Sequence, residues 1–208
     1  MFGSSHSPVA HQPVVVLASG SPRRRALLDL LGIPHVVRPA AIDERPEPGE
    51  DPATFCRRAA RDKAIHVAAS ETDLPVLAAD TVVAVDGDCL GKPSGMDDAA
   101  AMLRRLSGRE HEVHTAVALV ATGRCSDLVD TAIVRFRVLD DQLIAWYVGT
   151  SEPMDKAGAY AVQERGGLLV ESITGSPHTV VGLPIHRLHE LWADAGLDFW
   201  TMLDVSRR

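Results

Sequence analysis

The chain has 208 residues, and its 21 Lys and Arg against 28 Asp and Glu give a formal net charge of −7. A content of 46% apolar and 24% charged residues is typical of a folded domain and excludes wholesale disorder. Its apolar runs are too short for a membrane-spanning helix, which needs about 20 residues. A net negative chain is also a poor general nucleic-acid binder, because duplex affinity comes mostly from phosphate neutralisation.

The first strand and helix are predicted at the start of the chain, after residues 1–13. A short apolar run at 14–18 is typical of a buried strand, and the Ser19-Gly20 pair breaks it. Ser21 then suits a helix N-cap and Pro22 the first helical turn. The order strand, tight loop, helix is the one used by phosphate-binding α/β proteins.

Three arginines, Arg23, Arg24 and Arg25, follow at the start of this helix. Free backbone N–H groups and fork-shaped guanidinium donors at one place suit a phosphate. The alternative is an ordinary helix cap with solvated arginines. It explains less, because cations in the first turn repel the positive end of the helix dipole.

The rest of the chain alternates between strands and helices. Strands are predicted at 35–37, 76–79, 82–85, 113–121, 128–138 and 168–170. Helices are predicted at 53–70, 97–106, 140–148 and 183–195. Interleaving of this kind predicts an α/β fold built on a mixed sheet with flanking helices.

Carboxylates stand at two places where they could serve chemistry. Asp80 is predicted to lie where an apolar strand ends, and catalytic groups of open α/β sheets gather at strand ends. There it could bind a metal or accept a proton from water, although a turn-forming Asp is an equally simple interpretation. Glu44, beside Asp43 in a polar loop, could help to hold a divalent cation, unless both side chains are merely solvated.

Other polar residues are weaker candidates taken singly. Lys63 lies among small residues of a predicted helix and Lys92 lies between Gly and Pro, although surface exposure is the default for any lysine. Gln163 carries both a donor and an acceptor and suits a base edge, unless the small residues around Tyr160 form only a packed turn. We interpret the histidines as structural, since His111 and His114 point to opposite faces of a strand.

Taken together, these segments resemble the Maf family of nucleoside triphosphate pyrophosphatases. The resemblance covers residues 14 to about 195, and the ordered set of motifs is far more specific than any one of them. The segments that carry it are Leu17–Arg24, Asp43-Glu44, Ala60–Ala64, Ala78–Val83, Gly91–Pro93, Leu106–Gly108 with His111–Thr115, Glu152–Tyr160, Gln163 and Val180–Pro184.

The resemblance implies a two-lobed α/β fold related to the inosine-triphosphate pyrophosphatases, with a nucleotide in the cleft. We therefore expect a disordered tail at 1–13, a single domain of two lobes with a central cleft at 14–200, and a C-terminal tail at 201–208. It further implies a homodimer. Three cysteines cannot all pair within one chain and form no C-x-x-C motif, which predicts a reducing, cytoplasmic location.

The resemblance also implies hydrolysis of a nucleoside triphosphate to the monophosphate and pyrophosphate, with Mg²⁺ or Mn²⁺ as cofactor. Asp80 corresponds to the catalytic proton acceptor, and Glu44 joins it in placing the metal ion. The remaining polar site positions are Ser19, Arg24, Lys63 and Lys92.

Three further positions, Arg23, Thr81 and Gln163, match the branch of the family that is associated with dTTP and UTP. The branch acting on 7-methyl-GTP typically has Trp and Gln at the first two of these positions. Departures from the family pattern at 161–164 and 177–178 lie near the expected base pocket, so base preference depends on them.

Two other hypotheses fit parts of the sequence. A nucleotide-binding regulator of septum formation with little turnover would keep the arginines but not need the carboxylates. A nucleic-acid-binding module would use Arg23–Arg25 and Arg57–Arg61, against which the net charge argues. The intact set of Asp80, Glu44, Lys63 and Lys92 favours an enzyme, with a nucleoside triphosphate as partner and neither nucleic acid nor membrane.

Overall fold

A computed structural model of the chain describes residue 12 and residues 14–70 and 73–204. It contains a seven-stranded mixed sheet flanked by helices, as the sequence predicts. The strands are β1 Val15–Leu17, β2 His35–Val37, β3 Val76–Val85, β4 Asp88–Leu90, β5 Glu110–Ala121, β6 Arg124–Phe136 and β7 Val170–Thr174. Their order is β2-β1-β3-β5-β6-β7, and β4 pairs with β3.

The helices lie on both faces of this sheet. They are α1 Pro22–Leu30, α2 Pro52–Ala68, α3 Met96–Leu106, α4 Asp141–Val148, α5 Pro177–Val181, α6 Leu188–Asp194 and α7 Phe199–Asp204. Short 3₁₀ turns span Glu152–Asp155, Ala157–Ala159, Arg165–Leu169 and Ile185–Arg187. No helix within the described ranges is long and apolar enough to cross a membrane.

Parallel and antiparallel pairing divide the sheet. β1 runs parallel to β2 and β3, whereas β3, β5, β6 and β7 form consecutive antiparallel pairs. Tight turns set the antiparallel registers: Asp86 and Gly87 have φ of 56° and 82°, and Thr122 and Gly123 have φ of 50° and 76°. Two successive left-handed residues match the right-handed twist of a hairpin.

The long strands β3, β5 and β6 pass through two lobes. In the first lobe, α1 and α6 cover one sheet face through residues such as Leu28 and Leu191, and α2 covers the other through Phe55 and Ala60. In the second lobe, α3 and α4 pack on the far ends of the same strands. The core there includes Val83, Val113, Phe136, Leu103, Ile144 and Tyr147.

Some expected boundaries are wrong. β3 is one continuous strand, so Asp80 lies in its middle and not at a strand end. The apolar run Val82–Val85 explains this, because it extends the buried face past the polar pair. The strand expected at 168–170 begins at Val170, and α6 begins only at Leu188.

The domain boundaries expected from the sequence agree only in part with the structure. Helix α7 crosses residue 200, and Met202 is buried in the first lobe, so a tail cannot begin at 201. Burial of an apolar side chain on the helix is the reason that the ordered chain continues. The N-terminal tail expected at 1–13 lies almost entirely outside the described residues, as do residues 205–208.

Candidate active site

The candidate site is a cavity beside an open stretch of β3. Pairing of β3 with β1 ends at Leu77, and pairing with β4 begins only at Val83. Between Leu77 and Val83, no strand among the described residues pairs with this edge of β3. A cavity of about 350 Å³ lies next to the unpaired stretch. All nine predicted site residues line this cavity: Ser19, Arg23, Arg24, Glu44, Lys63, Asp80, Thr81, Lys92 and Gln163.

Asp80 faces helix α2, together with its neighbours Ala78 and Val82 on the same face of β3. Asp80 is 8% exposed, and its carboxylate contacts the side chain of Lys63. Lys63 lies on α2 and is similarly buried. Lys63 Nζ lies 2.7 Å from Asp80 Oδ1 and 2.6 Å from Glu44 Oε2. One ammonium therefore joins a strand carboxylate to a loop carboxylate at the cavity wall.

A buried thiol supports the strand beneath Asp80. Burial raises the pKa of Cys56, so its side chain is a neutral thiol that can donate as well as accept. Its Sγ lies 3.4 Å from the carbonyl oxygen of Asp80 and 3.3 Å from that of His114. It also accepts the backbone N–H of Ala116 at 3.2 Å. Helix α2 is thereby tied to β3 and β5 directly behind the carboxylate.

Arg24 is held by a directional chain of hydrogen bonds on the other face of β3. Its guanidinium donates to the Gly182 carbonyl at 2.8 Å, to Ser19 Oγ at 2.9 Å and to Thr81 Oγ1 at 3.1 Å. Thr115 donates to the carbonyl of Thr179 at 2.6 Å and lies 3.0 Å from Thr81 Oγ1. Since Thr115 uses its proton elsewhere, Thr81 donates to Thr115 and accepts from Arg24.

Burial lowers the pKa of Arg24, and the nearby Asp80 carboxylate opposes that shift. The guanidinium is thus a rigid, partly desolvated cation that interacts electrostatically with the Asp80 carboxylate. Three of its five N–H donors are used within the protein, which leaves two for a ligand. The hydroxyl of Thr81, a predicted selectivity residue, accepts one of these hydrogen bonds and so helps to hold Arg24.

The start of α1 presents backbone donors to the same cavity. Ser21 is the N-cap residue, but its side chain makes no capping hydrogen bond, and Pro22 has no N–H. Ser19 Oγ accepts the N–H of Ser21 at 3.3 Å instead. The first N–H groups of a helix have no partner inside it, so those of Arg23 and Arg24 are available to an anion.

The second lobe contributes a cation that the sequence analysis did not assign. Lys156 is 6% exposed and lines the cavity, donating to the Glu152 carbonyl at 2.9 Å and to Asp155 Oδ1 at 2.6 Å. The sequence places Asp155 and Lys156 inside the motif Glu152–Tyr160. Residue spacing, however, does not distinguish a buried lysine from a solvated one. Its burial depends on how the 3₁₀ turns pack.

Some of the lining side chains have their polar groups available. Arg23, Lys92 and Gln163 make no hydrogen bond or ion pair with any other residue that the structure describes. Arg57 and Arg61, in contrast, both pair with Asp127, which β6 carries. The cavity therefore offers free donors, whereas these two arginines of α2 are engaged in the fold.

The donor set can hold a divalent cation only together with a ligand. Among the described residues no group of three or more His, Cys, Asp or Glu side chains is arranged to bind a metal ion. Glu44 and Asp80 nevertheless reach the same point, because both contact Lys63 Nζ. Mg²⁺ is commonly held by one or two carboxylates plus substrate phosphates, so this pair fits a metal that arrives with a phosphorylated ligand.

The histidines of β5 lie on opposite faces of the strand, as predicted. His111 meets the hydroxyl of Tyr160 at 2.8 Å and packs edge-on against Phe136. Burial lowers the pKa of His111 to about 4, so the ring is neutral. His114 meets Thr131 Oγ1 at 2.9 Å on the other face. Both serve packing, and His111 supports a wall of the cavity through Tyr160.

Comparison with known proteins agrees with the motifs. A dTTP/UTP pyrophosphatase of Anaeromyxobacter dehalogenans is 52% identical over 188 residues, which are 88% of this chain and 95% of that protein. One of Myxococcus xanthus is 49% identical over 189 residues, 90% of this chain and 95% of that protein. One of Yersinia pestis is 47% identical over 176 residues, 84% of this chain and 89% of that protein.

Similarity to solved structures is more remote. A HAM1 protein from Coxiella burnetii is 17% identical, with a TM-score of 0.44 over 88% of this chain and 100% of that one. The family described as Maf-like protein matches residues 14–195, which span both lobes and every residue of the cavity wall. On this match and on relatives about half identical over nearly the whole chain, the protein belongs to the Maf family.

Proposed function

We propose that this protein hydrolyses nucleoside triphosphates, with dTTP and UTP as its best substrates, to the monophosphate and pyrophosphate. One observation carries the proposal. Five cationic side chains and the carboxylate of Asp80 face one cavity in a chain whose net charge is −7. The cations are Arg23, Arg24, Lys63, Lys92 and Lys156. The names of the relatives support the same reaction and the same bases.

The triphosphate is held by the cations of both lobes. Arg24 offers its two remaining N–H donors, and the N-terminus of α1 adds backbone donors beside it. Lys92 and Lys156, which belong to the second lobe, neutralise negative charge on the phosphates. Because these groups are held before the ligand arrives, they stabilise charge that develops on the bridging oxygen without reorganising.

Asp80 accepts the proton of the attacking water. Its Oδ1 is hydrogen-bonded to Lys63, and no described residue donates to Oδ2, which is thus available to water. Water attacks the α-phosphorus, the bond from that phosphorus to the oxygen bridging to the β-phosphate breaks, and pyrophosphate leaves. The proton lost by the water passes to Asp80, which acts as the general base.

A divalent cation, Mg²⁺ or Mn²⁺, would be held by Glu44 and Asp80 together with phosphate oxygens. When bound it supplies positive charge that polarises the phosphate and helps the leaving group to depart. Without a metal ion, Lys63 bridges the two carboxylates and offsets one of their two negative charges. A cytoplasmic location, supported by the unpaired cysteines, and a homodimer, which rests on the family resemblance, complete the proposal.

A nucleotide panel tests the proposal. Pyrophosphate release is measured with Mg²⁺ and purified protein for UTP, dTTP, CTP, ATP, GTP and 7-methyl-GTP. We expect kcat/KM for UTP and dTTP to exceed that for the purine nucleotides by at least about tenfold. A preference for a purine overturns the base assignment. Tight nucleotide binding without turnover indicates instead the regulator that binds and does not hydrolyse.

The Asp80→Asn variant tests the general base in the same assay. Loss of a proton acceptor is expected to lower kcat by about 10² to 10⁴ with a small change in KM. Asp43→Asn is the matched control, since Asp43 is an exposed carboxylate next to Glu44 whose one ion pair among the described residues is with Arg45 at 3.2 Å. Near-normal turnover in Asp80→Asn removes Asp80 from this role.

A further inference from the structure

A buried tyrosine and a half-buried glutamate behind the cavity hold one of its walls. Tyr147 donates its hydroxyl proton to Glu152 Oε1 at 2.8 Å. The same Oε1 accepts the backbone N–H of Gly166 at 3.0 Å, and Oε2 accepts that of Arg165 at 3.2 Å. Because the tyrosine proton is used for Glu152, the phenol oxygen accepts the N–H of Ala161 at 3.3 Å.

These hydrogen bonds tie down both ends of residues 161–166, which we call the Gln163 loop. Ala161 is bound at its start, and Arg165 and Gly166 are bound at its end. The ends are in contact: a Cβ at Gly166 would lie 2.6 Å from the Ala161 carbonyl oxygen and 2.6 Å from the Tyr147 hydroxyl. The loop is therefore a closed turn whose shape depends on this pair.

The first half of the loop reaches the cavity. Ala161, Val162 and Gln163 line it, and the side chain of Gln163 makes no hydrogen bond to any described residue. Tyr147 and Glu152 do not line the cavity. Tyr147 is fully buried, and both burial and the bond to Glu152 raise its pKa, so it remains a neutral donor. The side chains of the pair act on a ligand through the loop, whereas the backbone carbonyl of Glu152 holds Lys156.

We infer that the Tyr147–Glu152 pair is a positioning device that sets the place of Gln163 and thereby the selectivity for the nucleobase. This rests on the proposed function, because it assigns Gln163 to the base. The carboxylate accepts two hydrogen bonds from the loop backbone and one from Tyr147, so it holds the loop more closely than water would. The pair thus influences base choice indirectly, through the position of Gln163.

The Glu152→Gln substitution breaks one tie at nearly constant volume. All three groups around the carboxylate are donors, and the amide NH₂ must face at least one of them whichever way it is turned. We expect the ratio of kcat/KM for UTP to that for CTP to fall several-fold, while kcat for UTP changes by less than about threefold. CTP is the useful competitor because it differs from UTP only in the donor and acceptor pattern of its base edge.

A double-variant cycle separates positioning from general damage. Gln163→Ala removes the side chain that reads the base, and we expect about a tenfold fall in the same ratio. If Glu152 acts through Gln163, the double variant has the selectivity of Gln163→Ala alone. Additive losses, or an unchanged ratio in Glu152→Gln, overturn the inference. Equal losses of kcat/KM on both nucleotides do the same, because they indicate a purely structural role.

Two further variants complete the design. Glu164→Gln removes an exposed carboxylate from the same loop and should leave the ratio unchanged. Tyr147→Phe, which deletes only the hydroxyl, replaces Glu152→Gln if that variant fails to fold. Failure of the proposed function is seen separately, as wild-type protein that releases no pyrophosphate. The ratio is then measured from equilibrium binding of UTP and CTP, with the same expectation.

Discussion

Lys63 Nζ lies 2.7 Å from Asp80 Oδ1 and 2.6 Å from Glu44 Oε2, so a single buried ammonium bridges two carboxylates of the candidate site. The ammonium offsets one of the two negative charges, so acidic and basic groups share one cavity wall and a net negative charge remains. Removal of one partner from a buried ion pair leaves an uncompensated charge, which is far more damaging than loss of an exposed pair. The cation is therefore part of the site as well as part of the fold.

The Lys63→Gln variant tests this relationship. We expect kcat/KM to fall by at least about 100-fold, since Asp80 and Glu44 then oppose each other and the phosphates lose a cation. His66→Gln is the control, because His66 is exposed on the same helix three residues later. Pyrophosphate release by both variants gives the comparison, and equal activities would show that Lys63 has no part in the reaction.

Arg24→Lys is expected to be damaging although it keeps the charge. Lysine cannot reproduce three directional bonds to Gly182, Ser19 and Thr81. We expect kcat/KM to decrease by about 10- to 100-fold. Arg25→Lys, on the exposed side of the same helix, should behave as wild type. Steady-state kinetics on UTP measure both, and wild-type kinetics in Arg24→Lys would contradict the positioning role of the fork.

The neutral His111 makes stability depend on pH. Burial lowers its pKa to about 4 in the folded state, whereas an unfolded chain titrates near about 6.5. Between these values the unfolded state binds a proton that the folded state excludes. The free energy of unfolding is therefore retained above about pH 6.5 and decreases as the pH falls towards 4, by on the order of 3 kcal/mol.

Urea unfolding at a series of pH values measures this effect. His111→Phe should be less stable at neutral pH, because the hydroxyl of Tyr160 loses its partner. Its stability should nevertheless change less between about pH 7 and pH 5. His66→Gln, at an exposed histidine, should keep the wild-type slope. A His111→Phe slope equal to that of wild type would locate the pH dependence elsewhere.

Gly158 is required by both conformation and space. Its φ is +68°, and a Cβ there would lie 2.8 Å from the side chain of Val83. Gly87 has a similar φ of +82°, with nothing within 4 Å of the corresponding position. Gly87→Ala thus isolates the backbone cost, about 1 kcal/mol. Gly158→Ala adds overpacking of about 1 to 3 kcal/mol, which denaturant unfolding should resolve. Equal losses in the two variants would contradict the close contact.

The sequence determined most of the elements and most of the polar residues at the cavity. Apolar periodicity and turn residues located the sheet strands except β4, and the main helices, because burial of one face imposes its period on the chain. The motifs identified every predicted side chain that the cavity brings together, from Ser19 to Gln163. Such residues are recognisable because their chemistry requires particular groups at particular spacings.

Only the tertiary structure decided where those side chains stand relative to one another. Asp80 looked like a residue at a strand end, yet β3 continues, and the opening arises because β1 and β4 leave part of its edge unpaired. The sequence alone does not show whether Lys156 is buried or solvated; the packing of the second lobe buries it. The hydrogen bonds between Glu152 and the Gln163 loop join residues that share no local sequence pattern. Local sequence carries secondary-structure preference, whereas burial and long-range hydrogen bonds exist only once distant segments have packed together.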